Sequence, residues 1–288
     1  MSELISVQEK PVCLSRHIKA EYAFVFFPSF PLNTFIPFST VKMLSSAILT
    51  IALAATALSH PTKRQVGGVI TSCSVPRTAA ITFDDGPYIY SEQIVDILDA
   101  NNAKATFFVN GNNFGCIYGD AQVQAIKNAY SKGHQISSHT WAHKNLATLS
   151  LNEVDTEFTL VDKALESILG VKTAFMRPPF GSYSDTVLQV AAAHNQSVIN
   201  WDFDSGDSAG ASAAQSNSQY DTLVASRPST ILTLNHETYE SSATTVLPHA
   251  IEVLQGAGYR LVTVAECLGL PPYLSVGPAG TKDASWTC

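Results

Sequence analysis

Phosphate-cradling loops are missing from this 288-residue sequence: it has no Gly-x-Gly-x-x-Gly turn and no Walker-type segment, so nucleotide binding has no support. Positive charge is scarce as well. The chain has 17 Lys and Arg against 24 Asp and Glu; from residue 65 onward the count is 11 against 21, a formal charge of −10, which argues against nucleic acid as a partner. No two cysteines lie two to four residues apart, which removes a zinc-finger reading. The signal-like apolar stretch that opens at Met43 is too short to span a bilayer comfortably, so no stable membrane span is expected after processing. Residues 1–42 show no repeat or clean periodicity.

What remains is 45% hydrophobic residues, enough for one large domain with a substantial core. Residues 1–42 read as a doubtful extension upstream of the true start; the rival reading is a signal anchor formed by residues 22–58 together. Residues 43–64 read as a secretory signal that ends at the dibasic pair Lys63-Arg64, leaving 65–288 as the mature domain. Export, to the medium or the cell wall, agrees with the cysteines. Apart from Cys13 in the leader there are four, and an even number in a secreted chain suggests two disulfides. Cys73 precedes the first core strand and Cys267 follows the last, so pairing them clamps the chain ends and leaves Cys116 for Cys288. The Asn195-Gln196-Ser197 sequon puts its loop at the surface.

From Ala79 onward short apolar strands alternate with longer amphipathic segments. Strands are expected at 79–83, 105–109, 135–138, 174–176, 197–201, 231–234 and 260–264. Helices are expected at 91–100, 121–132, 151–169, 184–194 and 246–256. Such alternation implies a mainly parallel sheet with covering helices, and one contiguous domain favours a barrel-like closure over an open doubly wound sheet. In α/β barrels, chemistry collects just after the strands.

The polar motifs fall there. Thr82-Phe83-Asp84-Asp85-Gly86-Pro87 holds adjacent carboxylates on a tight turn, and neighbouring Asp residues seldom both stay ionised without a cation or a firm hydrogen-bond partner. His139 and His143, spaced i, i+4 in Ser138-His139-Thr140-Trp141-Ala142-His143, would share one face of a helical turn; with Asp85 they make a His₂-carboxylate set with an open position, suited to zinc or a more permissive divalent site. The alternative for the pair is two solvated surface histidines. Arg177-Pro178-Pro179-Phe180-Gly181 puts a guanidinium at a strand end, where it can orient a carboxylate in a bidentate pair. Asp202, Asp204 and Asp207 follow the fifth strand, and His236 ends the sixth; a carboxylate beside His236 would raise its pKa and ready it as a proton donor. His134, His194 and His249 sit in no motif and read as structural.

Taken in order, Thr-Phe-Asp-Asp-Gly-Pro, His-Thr-x-x-His, Arg-Pro-Pro-Phe-Gly, Asp-x-x-Asp and Leu-x-His resemble the five motifs of the polysaccharide deacetylases (NodB homology, carbohydrate esterase family 4), over about residues 79–265. Among these the chain looks most like the secreted chitin deacetylases of fungi. The resemblance implies a distorted (β/α) barrel of fewer than eight full units in a single catalytic domain. It assigns Asp85, His139 and His143 to the metal, Asp84 to general base, His236 to general acid, Arg177 to orienting the base and Asp207 to tuning the acid. One position departs from the pattern. The family usually carries Trp directly after the second Asp of the fourth motif, where this chain has Ser208, so the groove is expected to be more open unless Trp141 or Tyr183 fills in.

The expected chemistry is removal of N-acetyl groups from chitin or chito-oligosaccharides by a zinc-dependent monomer, with cobalt or another divalent cation as substitute. The backbone N–H of Phe180 would help hold the oxyanion, and Leu234 would enclose the acetyl methyl. The same chemistry on acetylxylan or peptidoglycan is the alternative. An inactive carbohydrate-binding protein would not need both proton-transfer groups.

Overall fold

The computed structural model describes residues 64–288; the leader, the apolar signal core and Cys13 lie outside the described residues. In chain order the elements are β1 (Val69–Ile70), β2 (Thr78–Gly86), α1 (Ser91–Ala100), β3 (Ala105–Val109), α2 (Asp120–Ser131), β4 (Gln135–Ser138), α3 (Leu151–Leu169), β5 (Val171–Thr173), β6 (Phe175–Met176), α4 (Asp185–Ala193), β7 (Ser197–Ile199), β8 (Phe203–Asp204), α5 (Ala213–Ser226), β9 (Ile231–Leu234), α6 (Leu247–Gly256), β10 (Arg260–Leu261), α7 (Val264–Leu268) and β11 (Tyr273–Val276).

The main sheet runs β1-β7-β6-β4-β3-β2-β9-β8, with β10 also on β2, and every pairing in it is parallel. β2 is its centre: all nine residues are buried, as suits a parallel strand covered on both faces. The path has two ends, β1 and β8, so the sheet curls into a half-barrel instead of closing. β11 and β5 form a small antiparallel ribbon beside it.

Helices supply the outer layer through apolar stripes. α3 buries Val154, Phe158, Val161, Leu165 and Ile168 at helical spacing, starts at a Ser150/Glu153 capping box and stops at Gly170. Only glycine suits that stop, because its φ is +75° and an added Cβ would lie 2.2 Å from the Gly277 carbonyl. The expected disulfides are both present: Cys73–Cys267 ties the segment before β2 to α7, and Cys116–Cys288 ties the end of the chain to the β3–α2 connection. Among the described residues no helix is long and apolar enough to cross a membrane.

Candidate active site

The carboxyl ends of β2, β4, β6 and β9 converge, and the loops that follow them surround a pocket of about 480 Å³. It is lined by Asp84, Asp85, His139, His143, Phe180, Gly181, Trp201, Asp204, Ser208, Leu234, His236 and Tyr239. Asp84 continues β2, and its backbone N–H donates to Asn235 O at 2.9 Å, which brings the first and last motifs side by side. Asp85 is not on the expected tight turn: it is a bulge within β2, with φ +73°, between Asp84 and Gly86, which both pair with β3. Gly86 follows because Glu237 packs on it: an added Cβ would sit 1.1 Å from Glu237 Oε1.

His139 and His143 do come together, though not on a helix. Residues 139–145 form a loop in which Thr140 and His143 both adopt left-handed φ values, +71° and +51°. The rings meet edge-on at 5.0 Å; His143 Nε2 is 3.2 Å and His139 Nε2 3.6 Å from Asp85 Oδ1. His139 Nδ1 donates to the Arg177 carbonyl at 2.8 Å, which fixes the tautomer and leaves Nε2 with its lone pair toward the pocket. Asp85 Oδ1 is buried and has no hydrogen-bond partner, and the three ligand atoms lie within 4.8 Å of one another. Burial lowers both imidazole pKa values, favouring the neutral form a metal needs, and raises that of Asp85. The donor set therefore fits a divalent cation.

Arg177 is fully buried behind Asp84. The expected bidentate pair is not formed: Nη1 alone reaches Asp84 Oδ1, at 2.9 Å. The other donors are taken by surrounding oxygens, Nη2 by Asn200 O at 3.1 Å and Thr233 O at 3.4 Å, and Nε by Ile199 O at 3.4 Å. Its guanidinium lies over the Phe108 ring at 4.3 Å, so it is held as a fixed charge.

His236 lies on the continuation of β9, bridged to Asp84; Asp207 Oδ1 accepts from His236 Nδ1 at 2.8 Å, and Oδ2 accepts from the His236 backbone N–H at 2.8 Å and from Ser242 Oγ at 2.7 Å. Burial alone would lower the His236 pKa; the hydrogen bond and charge of Asp207 overcome it and raise it to about 9. The same bonds overcome burial at Asp207 and hold it below the usual carboxylate value. Of the other two acids after β7, Asp204 lines the pocket while Asp202 accepts the Leu232 N–H at 2.7 Å and is structural.

Neither Trp141 nor Tyr183 lines the pocket. Trp141 packs over Gly111 and faces a separate groove with Tyr118, and Tyr183 is 42% exposed outside the site. Aromatic residues in the same lining as Ser208 are Phe180, Trp201, which rests on Gly181, and Tyr239, whose ring is 6.0 Å from His236. Tyr239 and the buried Glu237 went unnoticed in the sequence. Their only signal was proximity to His236.

A parallel half-barrel with a His₂-carboxylate cluster and paired acid-base groups at its carboxyl rim has the build of an α/β enzyme. The polysaccharide deacetylase family profile matches residues 71–199. The chain is 38% identical over 208 residues to a chitin deacetylase of Pestalotiopsis sp, covering 71% of this chain and 68% of that one. To the chitin deacetylase of Colletotrichum lindemuthianum it is 33% identical over 239 residues, covering 80% and 96%. The solved structure of the Colletotrichum lindemuthianum enzyme superposes with a TM-score of 0.69 at 30% identity over 73% of this chain and 96% of that one. A probable peptidoglycan-N-acetylglucosamine deacetylase of Arthroderma benhamiae is 39% identical, and there the match covers 71% of this chain and only 47% of the relative. This chain belongs to the polysaccharide deacetylase family.

Proposed function

We propose that the protein removes N-acetyl groups from chitin or chito-oligosaccharides, releasing acetate, and that Asp85, His139 and His143 hold a zinc ion for that reaction. The observation that carries this reading is that three potential ligand atoms share one pocket with Asp84, paired to Arg177, and His236, paired to Asp207. A divalent ion in such a donor set acidifies a water molecule and polarises an amide carbonyl.

The chain's own groups supply the proton transfers. Asp84 has Oδ1 engaged by Arg177 and Oδ2 turned toward His139 at 3.8 Å, so Oδ2 is the atom that takes the proton from water as general base. His236, held charged through Nδ1 by Asp207, presents Nε2 to protonate the departing amine. Phe180 stands in a left-handed conformation, φ +61°, with its ring 4.8 Å from that of His143. Strain of that kind, about 1–3 kcal/mol, persists where the surroundings enforce it, and here it supports Phe180 as the residue whose backbone N–H would help hold the developing oxyanion. Leu234 forms the apolar floor for the acetyl methyl.

Chitin is favoured by the chitin deacetylases among the relatives, two of which match over two thirds or more of their own length. The two disulfides and the signal-like segment support export, with the mature chain starting near Gln65. Acetate release by purified protein, with and without zinc, on chitin oligomers, acetylxylan and peptidoglycan fragments tests the proposal. Fastest release from N-acetylglucosamine oligomers with zinc present is expected. Faster release from either other polymer would leave a deacetylase but remove chitin as its substrate, and full activity after thorough chelation would remove the metal.

A further inference from the structure

We infer that Glu157 of α3 is a positioning residue for the metal cluster, acting through the loop that carries His143; the inference rests on the metal site proposed above. Position 157 lies on the buried stripe of α3, between Val154 and Val161 and beside Phe158, where an apolar side chain would pack. It holds instead a carboxylate only 2% exposed, and a charge that deeply placed persists only when it is paired and hydrogen-bonded. Both partners lie in one loop, flanking His143. Oε2 accepts the Ala142 backbone N–H at 2.7 Å, and Oε1 meets Lys144 Nζ at 3.0 Å.

That loop needs an external hold, since Thr140 and His143 both stand in the left-handed region. Its first half is fastened from the β3 side. Asn110 Nδ2 donates to the His139 and Thr140 carbonyls, Gly111 N–H donates to Thr140 O at 3.2 Å, and Asn112 N–H donates to Trp141 O at 2.6 Å. Beyond Trp141 the chain leaves β3, and Glu157 takes up the next amide. His139 is thus set by a strand end and the Arg177 carbonyl, whereas His143 depends on a tether from a helix that has no part in the pocket. Lys144 is 55% exposed at its side chain, so its ion pair is screened and the amide bond is the stronger tie.

The test is zinc affinity, measured by competition with a chromophoric chelator on metal-stripped protein, with thermal stability recorded on the same samples. In Glu157→Leu the side chain suits the apolar stripe, so the fold is kept while the tether is lost; zinc affinity should fall about 10–100-fold, the size typical for removing a group that orients a metal ligand. Glu157→Gln keeps an oxygen for the Ala142 N–H and should recover most of that loss. Lys144→Ala should stay close to wild type. Equal zinc affinity in the wild type and Glu157→Leu would overturn the inference, as would Glu157→Gln losing as much as Glu157→Leu. Absence of zinc binding by the wild type would instead overturn the metal site on which it rests.

Discussion

Asp207 grips His236 at two points, one carboxylate oxygen 2.8 Å from the ring Nδ1 and the other 2.8 Å from the backbone nitrogen. The ring is therefore fixed in direction as well as in charge. Asp207→Asn keeps the shape but removes the charge that offsets burial, so the His236 pKa should fall from about 9 to the ordinary imidazole value or below. A general acid must be protonated to act, so the alkaline limb of kcat/KM against pH should move down by about two units or more. An unmoved limb would show that His236 is not the acid, or that Asp207 does not tune it.

Much of this arrangement was legible because its residues are local. The bounds expected for α1, β3, β4, α3 and β9 match the structure; all but β4, with Ile136 as its one apolar residue, are rich in apolar residues. α5 was missed: over Ala213–Ser226 only Ser216 and Tyr220 are buried, so there is no apolar stripe to read. β1, β8 and β11, two to four residues long, are defined by neighbours distant in sequence. The histidine pair was found by a helical spacing that the structure does not use; a strained loop brings the rings together. Glu157 and Glu237 were invisible for a related reason, since their partners lie 15 and 146 residues away.

Ligands and proton-transfer groups should separate under mutation. His139→Ala should lose bound zinc and activity together. Asp84→Asn should retain zinc but lose activity by about 10²–10⁴-fold, the usual contribution of a general base. Metal analysis beside acetate release on the same preparations distinguishes them, and wild-type rate in Asp84→Asn would end its assignment as base.

Arg177 is buried among Phe108, Trp201 and Asp84, so its removal leaves a buried carboxylate without its cation. Arg177→Met should cost about 3–5 kcal/mol of folding stability, read from urea denaturation. A loss below about 1 kcal/mol would mean that water or another group compensates Asp84.

Glu237 predicts a pH dependence of stability. Its Oε2 accepts from Ser91 Oγ at 2.6 Å, while Oε1 is buried with no partner; burial first, and then the charges of Asp85 and Asp84, push its pKa up to about 8. The folded protein thus binds a proton that the unfolded chain, near 4.5, has released. This stability is fully present below pH 4.5, declines as pH rises and is lost above about 8. Glu237→Gln cannot ionise, so in metal-free samples it should gain on the wild type by a few kcal/mol, on the order of 4, between pH 4.5 and 8. Parallel stability curves for the two proteins would show that Glu237 is ionised in the fold.

Ser208 lines the pocket, and Trp201 and Tyr239 are among the aromatic residues of the same lining. The Ser208 N–H donates to Asp207 Oδ1 at 2.8 Å through the backbone, so replacing its side chain does not remove that bond. Ser208→Trp, the residue usual in the family, would add an indole to the lining of a pocket of about 480 Å³ while leaving Asp84, His236 and the three ligand side chains unaltered in identity. Its effect should therefore fall on KM and on preference among oligomers of different length, with kcat for the best oligomer within about threefold of wild type, because uniform binding and not the proton-transfer step is altered. Kinetics on a series of N-acetylglucosamine oligomers checks this. A fall in kcat beyond about tenfold, with KM unchanged, would mean that position 208 acts on the transition state through Asp207 and His236 and not as part of the groove wall.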